Sequence, residues 1–69
     1  MRVKNVTDLG IEIKKKRKTM GYTQSDISER TGLSVSFISE VENGKETAEI
    51  GKVMRLVSIL GLNVFVEER

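Results

Sequence analysis

The side chains that most often do acid–base or nucleophilic chemistry are missing from this chain of 69 residues, which holds no histidine and no cysteine. Their absence removes the commonest proton shuttles, thiol nucleophiles, structural zinc ligands and any disulfide. The carboxylates do not replace them: Glu67 and Glu68 show no metal or glycosidase spacing and read as a solvated tail. No catalytic residue, metal or cofactor is expected, and the chain is not read as an enzyme. What remains is charge and hydrogen bonding, and the charge is uneven. Residues 1–24 carry seven Lys/Arg against Asp8 and Glu12, whereas residues 25–69 carry five against eight acids, within a net charge of +2. A basic half in a small domain suits an anionic partner, most commonly nucleic acid. The plainer alternative is a solvated lysine-rich helix face.

A chain this short forms one domain (residues 1–69) and buries only about 60% of its unfolded surface, so a monomer is marginal. Without disulfide or zinc, the remaining supports are tight helix packing and oligomerisation, and a dimer is expected. No apolar run approaches the roughly 20 residues of a membrane span, and the first residues lack a signal-peptide pattern. A cytoplasmic protein with no membrane partner is expected. A small helical domain also leaves little room for a small-molecule substrate pocket.

The elements that must position the polar groups read as follows. Residues 1–6 form an arm or short strand anchored by Val3 and Val6, and residues 7–60 form the helical core. Thr7 caps a first helix with Leu9, Ile13 and Met20 on one stripe, closed by Gly21; Ile11 lies opposite and suggests a further covering element. Thr23 caps a second helix over Gln24–Thr31, stopped by Gly32. Ser34 caps a third from Val35 to Asn43, and Asn43-Gly-Lys45 is turn chemistry. A fourth runs from Ala48 to Leu60 with Ile50, Val53, Met54, Val57 and Leu60 inward; Leu56 and Ile59 widen that face beyond one small core. Residues 62–68 alternate as a strand, with Leu62, Val64 and Val66 on one side. A lone strand cannot satisfy its ladder, so it pairs with the arm or, preferably, with its twin across a two-fold axis.

The segment Gln24–Asn43 has helix-turn-helix grammar. Two short helices meet at a bend that needs positive φ, supplied by Gly32, and cross closely over the small Ser28. Ile27, Leu33, Ile38 and Val41 supply the buried contacts that set the crossing angle. The strings Gly21-Tyr-Thr-Gln24, Gly32-Leu-Ser34, Ile38-Ser39 and Val41-Glu-Asn-Gly-Lys45, flanked by Ile13-Lys-Lys-Lys-Arg17, make the chain similar to the phage-repressor (XRE) family. One departure is Thr31, where that family usually carries an apolar residue.

The resemblance implies an all-α, four- to five-helix, lambda-repressor-like DNA-binding domain with a C-terminal β-strand that pairs across a dimer. By the same resemblance Gln24, Asn43 and Lys45 contact DNA phosphates, while Arg17 and Glu42 form a structural ion pair; Ser34, and Lys16 from the basic run Lys14–Lys18, are read as further phosphate contacts. Helix three then enters the major groove, with Val35, Ser36, Ser39 and Glu40 at the bases. None of these is the Arg, Asn or Gln that makes bidentate base contacts, so dimer spacing and DNA shape carry much of the specificity. Phe37 reads as surface packing rather than a base contact. Leu56, Ile59, Val64, Phe65 and Val66 are expected at the dimer interface.

Within the family, Gly44-Lys-Glu-Thr-Ala-Glu-Ile-Gly-Lys-Val-Met-Arg-Leu56 and Leu60-Gly-Leu-Asn-Val64 resemble the HipB-like antitoxins. That branch implies an autoregulatory repressor that binds a palindromic operator as a homodimer and a HipA-type toxin kinase. A stand-alone phage or plasmid repressor is the alternative. An interaction module that has lost DNA binding is another, favoured by the acid-containing third helix and disfavoured by Gln24, Asn43 and Lys45.

Overall fold

The computed structural model describes residues 2–69, so Met1, the first residue of the expected arm, lies outside the described part. Asn5, not Thr7, caps the first helix. Its backbone is extended and its side-chain oxygen accepts the Asp8 N–H at 2.8 Å. Asn is at least as good a cap as Thr, and Thr7 is committed elsewhere. A Cβ on Gly44 would lie 3.0 Å from the Thr7 hydroxyl, so that side chain is pressed against the 43–45 turn. Helix α1 therefore spans Val6–Thr19, and Val6 is helical rather than part of the arm. Asp8 in the first turn and Lys16, Arg17 and Lys18 in the last complement the helix dipole. The buried stripe is Gly10, Ile13 and Arg17. Met20, expected on that stripe, is the C-cap and 39% exposed, because the helix stops before it. Ile11 is left 49% exposed.

Helix α2 (Gln24–Thr31) begins with a complete capping box: Thr23 Oγ1 accepts the Asp26 N–H at 3.0 Å and Asp26 accepts the Thr23 N–H at 2.8 Å. Those bonds hold the Asp26 carboxyl below its usual range. A carboxylate depressed by folding stabilises above the unfolded pKa, near 4, and loses that contribution as pH falls through the folded value. The melting temperature is thus expected to drop on acidification below about pH 4, less steeply in Asp26→Asn. Identical acid limbs in the two proteins would remove Asp26 from the account.

Gly32, at φ +76°, turns the chain into α3 (Val35–Glu42), where Ser34 Oγ accepts the Phe37 N–H at 3.0 Å. The bend is tied by two hydroxyls. Ser28 donates to the Leu33 carbonyl at 2.6 Å, and Thr31 accepts the Leu33 N–H at 3.1 Å while donating to Ile27 O at 2.8 Å. Thr31 thus replaces the family's apolar residue with a hydrogen bond across the turn.

Helix α4 (Ile50–Ile59) is shorter than the expected Ala48–Leu60, and Glu49 at its start makes no side-chain cap. Its Val53, Leu56 and Val57, with Leu60 beyond it, join Ile13, Ile27, Leu33, Ile38 and Val41 in one core. Each such side chain contributes about 1.5–3 kcal/mol by leaving water. Ile50 and Met54, expected inward, are 69% and 43% exposed. They occupy i and i+4 on the exposed flank of α4, and Ile50 edges a mostly apolar hollow of about 160 Å³ beside Val6, Leu9, Val41 and Ala48.

Residues 62–69 form neither helix nor strand in the single protomer, so the expected 62–68 strand is not present there. Among the described residues no ladder forms with the arm, and an exposed Arg2–Glu67 ion pair at 3.5 Å links the two terminal segments. Among the described residues no helix is long and apolar enough to cross a membrane.

Candidate nucleic-acid interface

Helix α3 is buried on one side only. Ile38 and Val41 face the core, while Val35, Ser36 and Glu40 are exposed, with Ser39 half-buried beside them. Ser36, Ser39/Glu40 and Asn43 recur at i, i+3/i+4 and i+7, so they form one stripe along the helix. Ser34 stands at its start and Asn43 and Lys45 at its end. Asn43 donates to Ser39 Oγ at 3.5 Å, and Lys45 Nζ lies 2.7 Å from Glu40 Oε2. The stripe is short-armed and nearly neutral, suited to close approach of a groove floor. Phe37 is half-buried against the core, with Lys52 Nζ 5.8 Å from its ring centroid.

Gln24, at the first position of α2, is tied to the end of α3 by a buried polar network. The Arg17 guanidinium meets the Glu42 carboxylate in two parallel bonds, Nε–Oε2 at 2.7 Å and Nη2–Oε1 at 3.0 Å. Its remaining nitrogen donates to the Tyr22 carbonyl at 2.8 Å, and the Gln24 amide donates to Glu42 Oε1 at 3.1 Å. Arg17 and Glu42 are 8% and 6% exposed, and no buried side-chain polar atom among the described residues lacks a partner. Donating to the Glu42 carboxylate raises the Arg17 pKa above its already high value, so the guanidinium stays charged. One carboxylate on α3 thereby joins α1, the 20–23 turn and α2. The Gln24 side chain is oriented before any ligand arrives.

Two features escaped the sequence. Gly10 lets α1 touch α3: a Cβ there would lie 2.7 Å from the Glu42 carbonyl oxygen. A single glycine inside a helix was the available signal. Tyr22 is the second, its carbonyl held by Arg17 and its ring covered by Arg30 at 4.4 Å. Lys16 lines a shallow cleft with Glu12, Lys15, Thr19 and Leu62, a cleft that includes none of the stripe residues. Leu56 is fully buried inside the protomer and offers no surface to a second chain, so it supports α4 from beneath. Ile59, Val64, Phe65 and Val66 are exposed, from 43% to 95%.

Comparison with known proteins gives the same architecture. The Helix-turn-helix family model matches residues 13–65. The uncharacterized HTH-type transcriptional regulator y4mF of Sinorhizobium fredii (strain NBRC 101917 / NGR234) is 33% identical over 63 residues, covering 91% of this chain and 83% of that one. Among solved structures, a HipB-O4 20mer complex is similar with a TM-score of 0.89 at 22% identity, covering 99% of this chain and 96% of the other. A HipA-HipB-O2-O3 complex matches with the same values. With a capped Gln24–Thr31 helix, a positive-φ glycine and an uncovered α3 in the register of that family, the chain belongs to the XRE-type helix-turn-helix family of DNA-binding transcriptional regulators.

Proposed function

We propose that this regulator is a HipB-like autoregulatory repressor, acting in the cytoplasm as a homodimer on a palindromic operator and partnering a HipA-type toxin kinase. The observation that carries the DNA-binding part is the uncovered α3 stripe, with Gln24 at the start of α2 already bonded to Glu42 of α3. Val35 packs on a thymine methyl, Ser36 and Ser39 bond base edges, and Glu40 accepts from a cytosine amino group. Gln24, Ser34, Asn43, Lys45 and Lys16 hold phosphates and set the register.

Dimerisation rests on the tail. Val64, Phe65 and Val66 are uncovered in one protomer, and an extended segment without a ladder partner is unstable alone. Pairing residues 62–68 with the same residues of a twin would cover them together with Ile59. Two recognition helices would then stand at a fixed separation, as half-sites one helical turn apart require. The likeness to the HipA-HipB-O2-O3 complex supports the toxin partner.

Purification of the tagged protein from its native host tests both parts. A duplex selected from host DNA should be bound with an affinity that falls steeply with salt, a log–log slope on the order of −3 to −4 for Lys16 and Lys45 in two protomers. A flat salt response would show that DNA is not the partner. A stoichiometric kinase-sized protein should co-purify, and the dimer alone would leave a repressor without a toxin.

A further inference from the structure

Two of the residues placed at the DNA are bonded to each other. Lys45 Nζ lies 2.7 Å from Glu40 Oε2, with the two side chains 48% and 46% exposed. The backbone forces this meeting. Gly44, at φ +81°, ends α3 so that the Gly44 N–H donates to Val41 O and the Lys45 N–H donates to Glu40 O, both at 3.0 Å. That closure returns the chain over the last turn and sets Lys45 beside Glu40 whatever their side chains do. The ammonium also sits at the negative end of the α3 dipole.

An ammonium held by a carboxylate offers a phosphate no net charge, and the freed carboxylate repels the backbone it faces. We propose that Glu40 gates Lys45: the phosphate contact of Lys45 becomes available only when a base at one position of each half-site takes over the Glu40 carboxylate. The suitable bases expose an amino donor in the major groove, cytosine N4 or adenine N6. On a wrong base Glu40 keeps the lysine, and both the base and the phosphate contact are lost together. A helix with no Arg, Asn or Gln at its base-facing positions thus gains discrimination by withholding an electrostatic contact. This gate rests on the proposed DNA-binding role of α3.

The test is a double-mutant cycle of Glu40→Ala and Lys45→Ala, read as affinity and salt slope on a random-sequence duplex and on one selected by the wild type. Alanine keeps the Glu40 carbonyl that closes the turn and adds no base-reading group. On the random duplex, Glu40→Ala should bind roughly 3- to 10-fold tighter as a dimer. Its salt slope should steepen by about 0.9 for each lysine released. Lys45→Ala alone should change that affinity less than about 2-fold, yet abolish the whole gain in the Glu40→Ala background. Preference for the selected duplex should narrow in Glu40→Ala. Additive effects, or an unchanged salt slope, overturn the gate while wild-type binding remains. Absence of salt-dependent binding by the wild type overturns the DNA-binding reading, and the gate with it.

Discussion

Glu42→Ala is expected to lose about 3–5 kcal/mol of folding stability, because it strands a buried guanidinium. For 69 residues the whole reserve is on the order of 3–10 kcal/mol, so the loss removes from about a third of it to all of it. Arg17, Tyr22 O, Gln24 and Glu42 form one network, so the loss reaches α1, the turn and α2 at once. The pair itself contributes little net stability, since desolvating two charges offsets most of their attraction. Arg17→Met with Glu42→Leu should accordingly recover most of the stability lost by either single change. Such a double variant would still bind DNA less well, having lost the anchor that orients Gln24. Urea denaturation with a gel-shift assay separates the two effects. A Glu42→Ala protein within about 1 kcal/mol of the wild type would show that the pair is not buried as described.

Gly10→Ala is the second large effect, and here the sign is the test. On an isolated helix the change gains about 1 kcal/mol, since glycine is a poor helix former. In this fold the new methyl would lie 2.7 Å from the Glu42 carbonyl oxygen and closer still to that of Val41. Both are backbone atoms near the end of α3, so α1 and α3 must move apart. The expected outcome is a loss of about 1–3 kcal/mol, a fall of about 4–8 °C in melting temperature per kcal/mol. Gly51 is the internal control. It lies in α4 with no atom within 4 Å of a built Cβ, so Gly51→Ala should raise the melting temperature. Equal shifts for the two substitutions would show that α1 and α3 do not approach so closely.

The Gln24–Lys45 segment was the most legible part of the chain. Thr23, Gly32 and Ser34 do their work within three or four residues of themselves, through caps and one positive-φ turn. Bonds that local are written in the order of the residues. The same logic stumbled at the first helix, where Asn5 and Thr7 are both competent caps. The contact of Thr7 with Gly44, far along the chain, accompanies the choice of Asn5. Periodicity marked α4 as amphipathic yet misplaced its edges. Which of Ile50, Met54 and Leu56 is covered depends on where the other helices lie, and Leu56 is the one buried.

The family strings and the cap residues, read in order, determined the helix-turn-helix and the uncovered third helix, and a composition without His or Cys removed the chemistry of those side chains. Tertiary packing decided what those residues do to one another. It seated Gly10 against a backbone 31 residues away, bound Gln24 to Glu42, and closed Lys45 on Glu40. Short-range hydrogen bonds recur at fixed offsets and can be read from spacing alone. Contacts between helices depend on how side-chain volumes fit in three dimensions, and no offset in the chain encodes that fit.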